Sequence, residues 1–281
     1  MVANRALLPS RNLTFSVSQA RMLRIPAKDN HYMPFSLITA DIHLQPDETH
    51  PINQAFYRFL EEDAPQAEAL YLIGDIFEMW VGDDVGLETF PKAIQHLSDL
   101  VKKGTRVYLM FGNRDFLMKS AFWKATGIQP LSDPNLVDFY GEKILLSHGD
   151  SLCIDDKEYQ KMRRWFRNPV IQWLFLCLPK AKRLAIGENM RKKSQQYNQN
   201  KADNIMDVNQ GAVESLLARY PECNHLVHGH THRPGEQTFM VEGVEKHRWI
   251  LGDWRPETQL LKVTERPGQS PEIEWLFLNG N

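Results

Sequence analysis

Five apolar runs in this chain each stop at a short polar motif. "FSLITA" leads to Asp41-Ile42-His43, "ALYLI" to Gly74-Asp75, and "RVYLMF" to Gly112-Asn113-Arg114-Asp115. "KILLS" leads to His148-Gly149-Asp150, and "NHLV" to His228-Gly229-His230-Thr231-His232. Short apolar runs bounded by turn residues read as buried strands. Helical patterns lie between the first runs, "PINQAFYRFLEED" and "PKAIQHLSDLVKKG", with Gly104 as a helix stop. Strand, helix, strand implies a parallel sheet covered by helices, and such sheets bind ligands beyond the carboxyl ends of their strands. All five motifs fall there. After His232 the pattern changes to short strands, "HRWILG", "QLLKVT" and "EIEWLFL", as in an antiparallel or mixed second sheet.

The motifs carry seven candidate metal ligands: Asp41, His43, Asp75, Asn113, His148, His230 and His232. One Asp-x-His or Gly-Asp pair is more often a turn or a cap than a ligand. Five in order, each closing a strand, are a different signal. Imidazole, carboxylate and amide oxygen without thiolate suit Mn²⁺, Fe or Zn²⁺ better than Mg²⁺ alone. Seven ligands exceed one tetrahedral site. They suit two metals roughly 3.5–4 Å apart that clamp an in-line phosphoryl displacement.

The series DxH, GD, GNRD, HGD, GHTH resembles the calcineurin-like metallophosphoesterase family over residues 35–275. The resemblance implies an α/β fold, a four-layer α/β/β/α sandwich. It implies one metal on Asp41, His43, Asp75 and His232, and a second on Asp75, Asn113, His148 and His230, with Asp75 bridging. A hydroxide between the metals would attack phosphorus in line. Asp75, Arg114 and His230 are the residues expected to serve catalysis, with two Mn²⁺ ions (Mg²⁺, Fe or Zn²⁺ in their place).

Arg114 departs from most of that family, where a histidine follows the asparagine and is proposed to protonate the leaving alkoxide. Arginine holds its proton too tightly for that role, but its fork can bind phosphate oxygens. An enzyme without that acid suits a leaving group that departs without a proton, such as a phosphate released from a pyrophosphate. The bland alternative is a surface ion pair between Arg114 and Asp115.

Residues 157–201 hold twelve Lys or Arg and two acidic residues, Glu158 and Glu188, together with Trp165, Phe166, Trp173 and Phe175. This basic, aromatic segment interrupts the α/β pattern. It reads as a helical insertion, about 154–203, that lies on a membrane surface or holds an apolar ligand. "GDIFEMWVGDD", "GNRDFL", "HGDSLCIDD", "IMDVNQ" and "HGHTHRP" resemble one branch of the family, which cleaves the pyrophosphate of UDP-2,3-diacylglucosamine in lipid A biosynthesis. That resemblance implies UMP and 2,3-diacylglucosamine 1-phosphate as products. It implies substrate contacts at Asn113, Arg114, Asp156, Ser194, Asn198, Lys201 and His230, and the insertion as a lid over the acyl chains. It implies a peripheral protein on the cytoplasmic face of a bacterial inner membrane, held to the anionic leaflet by surface cations.

The totals constrain partners. A net charge of -2 argues against a generally basic nucleic-acid binder. Three scattered cysteines without a CxxC pair read as reduced thiols. No apolar run reaches the roughly 18 residues needed to cross a bilayer. No obligate protein partner is implied. Residues 1–32, with four arginines and no acidic residue before Asp29, have the composition of an organellar transit peptide, and read otherwise as a disordered extension outside the metallophosphoesterase domain at 33–281 or as the product of an upstream start with Met33 the working one. A phosphodiesterase for a soluble nucleotide is the nearest rival, and would need no acyl cavity. A scaffold that has lost catalysis would lack ligands, and all seven are here.

Overall fold

Strand β1 (Phe35–Thr39) is buried along its whole length, as is β2 (Ala69–Ile73). Both therefore read as continuous apolar runs, the pattern of strands covered on both faces. The computed structural model describes residues 33–199, 207–255 and 257–279. The expected extension at 1–32 lies outside the described residues.

Helix α1 (Pro51–Glu62) follows β1, and α2 (Asp83–Thr89) and α3 (Pro91–Lys102) follow β2. Proline at the first turn starts both α1 and α3, where its missing N–H is no loss. Then come β3 (Arg106–Met110), α4 (Ser120–Thr126), β4 (Gln129–Leu131), β5 (Asn135–Phe139) and β6 (Glu142–Ser147). Three helices precede the next strand pair: α5 (Lys157–Phe166), α6 (Pro169–Leu176) and α7 (Lys180–Gln199). Helix α8 (Gln210–Leu217), β7 (His225–His228), β8 (Gly235–Val241), β9 (Val244–Ile250), β10 (Glu257–Thr264) and β11 (Glu272–Asn279) complete the chain.

The five motif-bearing strands do not share one sheet. The first sheet runs β11-β10-β1-β2-β3-β4, and the second β5-β6-β7-β9-β8. Strands β1 to β4 are parallel, as are β6, β7 and β9. The tail strands split. "HRWILG" joins the second sheet as β9, whereas "QLLKVT" and "EIEWLFL" return as β10 and β11 to the antiparallel edge of the first. The "GDDVG" stretch opens α2, with Gly82 at its N-cap.

Alternation along the strands builds the layers. Leu37, Leu70, Leu72 and Leu109 pack with Phe56, Phe59, Leu97 and Phe122 of the helices on the outer face. Ile38, Tyr71, Ile73 and Met110 face Ile144, Leu146, Val227 and Trp249 of the other sheet. Leu145 and Leu226 pack on Val213, Leu216 and Leu217 of α8. The order is helix, sheet, sheet, helix, the expected four layers. Register then assembles the site: Ile38 pairs with Tyr71 and Tyr71 with Tyr108, so the first three motifs leave the sheet side by side. Ser147 pairs with His228, so the last two do the same in the second sheet.

Helices α5 to α7 occupy the stretch read as an insertion. Four of its five arginines reach the body beneath, while Arg164 is exposed. Arg163 Nε donates to Asp150 Oδ2 (2.7 Å) and Arg167 Nη2 to the Gly112 carbonyl (2.8 Å). Arg183, only 3% exposed, donates to Val81 O and to both oxygens of Asp84. Arg191 Nε lies 2.6 Å from Glu78 Oε1. The outward face carries Lys157, Lys161, Lys182, Lys192 and Lys193 with Trp165 (57% exposed), Val170, Trp173 (64% exposed) and Leu174.

Candidate metal centre

The loops that leave the strands bend in a way side chains rarely allow. Asp41, His43, Asp75, His230 and His232 all have positive φ, between 51° and 71°. Non-glycine residues there cost of order 1–3 kcal/mol each and cluster at functional sites. In "DIH" the two left-handed residues turn Asp41 and His43 toward the site while Ile42 enters the core. Backbone bonds tie the loops together: Asp41 N–H to Gly74 O (3.0 Å), His43 N–H to Asp75 O (3.0 Å), Gly229 N–H to His148 O (3.1 Å).

Two motif glycines are fixed by close approach. A Cβ on Gly112 would sit 2.1 Å from Asp75 Oδ1, and one on Gly229 would sit 2.2 Å from Asp41 Oδ2. Both amides beyond them are used. Arg114 N–H donates to Asp75 Oδ1 (2.9 Å), and His230 N–H to Asp41 Oδ2 (2.7 Å).

Ligand atoms of Asp41, His43 and His232 lie within 4.8 Å of one another, and so do those of Asp41, Asp75 and His148. His43 Nε2 is 3.2 Å from His232 Nε2, and His232 Nε2 is 3.4 Å from Asp41 Oδ1. His148 Nδ1 lies 3.1 Å from the Ile73 carbonyl, which it can serve only as donor, and this turns Nε2 toward Asn113 Oδ1 (3.1 Å) and Asp75 Oδ2 (3.9 Å). The His230 ring stacks edge-on to His148, centroids 5.1 Å apart, and belongs to neither tight group. All seven expected ligands thus meet at one place. Asp156 caps α5 by accepting from Tyr159 N–H (3.0 Å). Ser194 and Asn198 lie on α7, and Lys201 falls outside the described residues.

The donor set fits divalent cations. Asp41 Oδ1 and His43 Nδ1 are buried without a hydrogen-bond partner. Burial raises the Asp75 pKa, with Asp41 adding to the rise. Burial opposes charge on His148, yet Asp75 and Asp41 hold its pKa up at about 9. His43 is pushed down to about 2 by burial and by Arg114. Two carboxylates and a ring that keeps its proton above neutrality describe a pocket short of positive charge.

Arg114 is not a partner of Asp115. Its Nη1 lies 2.5 Å from Glu78 Oε1 and its Nε 3.6 Å from Asp75 Oδ2. Asp115 is fully buried and accepts from Gly112 N–H (2.7 Å) and Ile76 N–H (2.8 Å), which pins the third loop to the second. The Asp of "HGD" likewise braces structure: Asp150 accepts from Tyr159 Oη (3.0 Å) and Arg163. Asp83 accepts from Trp80 Nε1 and from the amides of Lys119 and Phe122, and Asp253 pairs with Arg255 and faces His232 Nδ1 at 3.9 Å.

A family model described as calcineurin-like phosphoesterase matches residues 36–234, a span that includes all seven expected ligands. The chain belongs to the calcineurin-like phosphoesterases. Within this family it is 44% identical to a protein named UDP-2,3-diacylglucosamine hydrolase from Serratia proteamaculans, over 229 residues, 82% of this chain and 95% of that one. Proteins of the same name from Pseudomonas aeruginosa and Aeromonas hydrophila are each 43% identical, covering 81% and 83% of this chain and 94% and 95% of theirs.

Two residues escaped the sequence reading. Glu78, 7% exposed, sits in "IFEMW" between two buried aromatics and holds Arg114. A lone acid in an apolar run was the available signal, since buried carboxylates are paired. His228, the first histidine of "HGHTH", turns into the sheet, where Arg248 Nε donates to its Nε2 (2.8 Å). The close approach at Gly112 gives a direct check. Gly112→Ala should displace Asp75, lose at least one bound metal equivalent by elemental analysis, and lower phosphodiester hydrolysis by about 10²-fold or more. Wild-type metal content in that variant would contradict the packing described.

Proposed function

We propose that this chain hydrolyses the pyrophosphate bond of UDP-2,3-diacylglucosamine to UMP and 2,3-diacylglucosamine 1-phosphate, in lipid A biosynthesis, with two Mn²⁺ ions held by the seven ligands. Asp41, His43, Asp75 and His232 would hold one ion; Asp75, Asn113, His148 and His230 would hold the other. Bound there, divalent ions supply Lewis acidity and a water that is nucleophilic at neutral pH. Water's oxygen bonds to one phosphorus as the bridging P–O bond breaks, and the second phosphate leaves with the electron pair.

The observation that carries this reading is Arg114, drawn by Glu78 and Asp75 to the metal loops instead of to the surface. Its guanidinium binds phosphate oxygens and offers no transferable proton. A phosphate leaving group needs none, whereas a sugar or serine alkoxide does. The names of the relatives support the same substrate. On this reading Asn113, Arg114 and His230 meet the pyrophosphate, and Asp156, Ser194, Asn198 and Lys201 meet the sugar headgroup. Helices α5 to α7 shelter the acyl chains as a lid.

The exposed tryptophans and lysines of that segment support a peripheral seat on the anionic cytoplasmic face of an inner membrane. No helix among the described residues is long and apolar enough to cross a membrane.

With Mn²⁺ and detergent, the protein should release UMP from the acylated substrate and leave UDP-glucose almost untouched. Equal rates on the two would refute the substrate. Arg114→Lys should lower kcat by about 10²-fold with unchanged metal content; an unaltered rate would remove the argument from Arg114. The protein should sediment with phosphatidylglycerol vesicles and be released by salt, and Trp165→Asp with Trp173→Asp should abolish sedimentation. Equal sedimentation of that double variant would reject the membrane face.

A further inference from the structure

Glu78 lies outside the seven ligands and the substrate contacts, yet three elements converge on it. Its backbone is fixed: Glu78 N–H donates to Leu44 O (3.0 Å), while Phe77 and Trp80 on either side pack with Phe90 and Phe122. Oε1 is shared by two guanidiniums, Arg114 Nη1 at 2.5 Å from the GNRD loop and Arg191 Nε at 2.6 Å from α7. Oε2 faces His43 Nδ1 at 3.7 Å, and that nitrogen is buried without a hydrogen-bond partner. His43 turns its other nitrogen, Nε2, to His232 and Asp41.

We propose that Glu78 is a positioning residue that fastens the metal centre, the phosphate-binding arginine and helix α7 into one unit. An imidazole that ligates metal through Nε2 keeps its proton on Nδ1, and an acceptor there fixes the ring and strengthens the ligand. Glu78 Oε2, 3.7 Å from Nδ1, is the carboxylate oxygen placed to take that part. Its other oxygen draws Arg114 to the centre and holds Arg191, so α7 docks where the substrate's charged end sits. A neutral amide in its place would keep the shape but could not neutralise two guanidiniums. The part played by α7 in substrate binding rests on the reading in the preceding subsection; the link to His43 does not.

The test uses the full chain stripped of metal, titrated with Mn²⁺ by calorimetry, and the Mn²⁺-loaded chain assayed with the acylated substrate. Glu78→Gln should weaken Mn²⁺ binding about 10–100-fold, and Arg191→Gln should leave it unchanged. Both variants should raise KM for the acylated substrate, and the double variant should raise it no more than Glu78→Gln alone, because residues acting through one contact are not additive. Wild-type Mn²⁺ affinity in Glu78→Gln overturns the link to His43. Multiplied KM effects in the double variant overturn the link to α7. If Glu78→Gln does not fold, Arg191→Gln, on an exposed helix face, decides: an unchanged KM overturns the fastening of α7. If the wild type does not cleave the acylated substrate, the assigned substrate fails, and the Mn²⁺ titration still judges Glu78 and His43.

Discussion

The carboxylates of Asp41 and Asp75 set the terms for the rest of this fold. They are buried, and with His148 their ligand atoms lie within 4.8 Å of one another. Two like charges out of water repel: burial raises the pKa of Asp75, while His232, His148 and His43 overcome the same burial at Asp41 and hold it well below the usual carboxylate range. The backbone that presents them is itself left-handed at both residues. Such an arrangement persists only where surrounding structure over-determines it and a cation repays the electrostatic cost. The surroundings do so here through backbone amides: His230 N–H on Asp41, Arg114 N–H on Asp75, and Asp115 joining the second and third loops.

The basic insertion takes a different part in this scheme than its composition suggests. Four of its arginines, Arg163, Arg167, Arg183 and Arg191, bind carboxylates or carbonyls of the phosphoesterase body. Arginine suits that work because its fork satisfies two acceptors at once. Lys157, Lys161, Lys182, Lys192 and Lys193 are exposed, as are Trp165 and Trp173. One segment thus combines an inner face that reaches the metal loops with an outer apolar, cationic face. A substrate with a charged headgroup and two acyl chains calls for both.

The candidate site was legible in the sequence because its candidate ligands are strand-end residues, and an apolar run that stops at a polar pair is a local pattern. The four layers followed from the resemblance. Sheet membership did not: nothing in "QLLKVT" or "EIEWLFL" distinguishes a strand that pairs with β1 from one that extends the second sheet, since both are apolar stretches of similar length. Arg114 raised the right question, but its partner is Glu78, distant in the chain, and only the fold brings them together. The glycines of "GNRD" and "HGH" looked like turn residues. Their reason is steric, the carboxylate packed against each Cα. Glu78 was hidden for the same cause: its side-chain partners, Arg114, Arg191 and His43, are brought to it by the topology and not by the neighbouring sequence.

A metal pair at these strand ends, with Asp75 between, is what the proposed chemistry requires. Diffraction at the manganese edge from crystals grown with Mn²⁺ tests it most directly. Two anomalous peaks about 3.5–4 Å apart, one beside His43 and His232 and the other beside Asn113 and His148, are the expected result. A single peak, or two peaks with Asp75 touching neither, would contradict it.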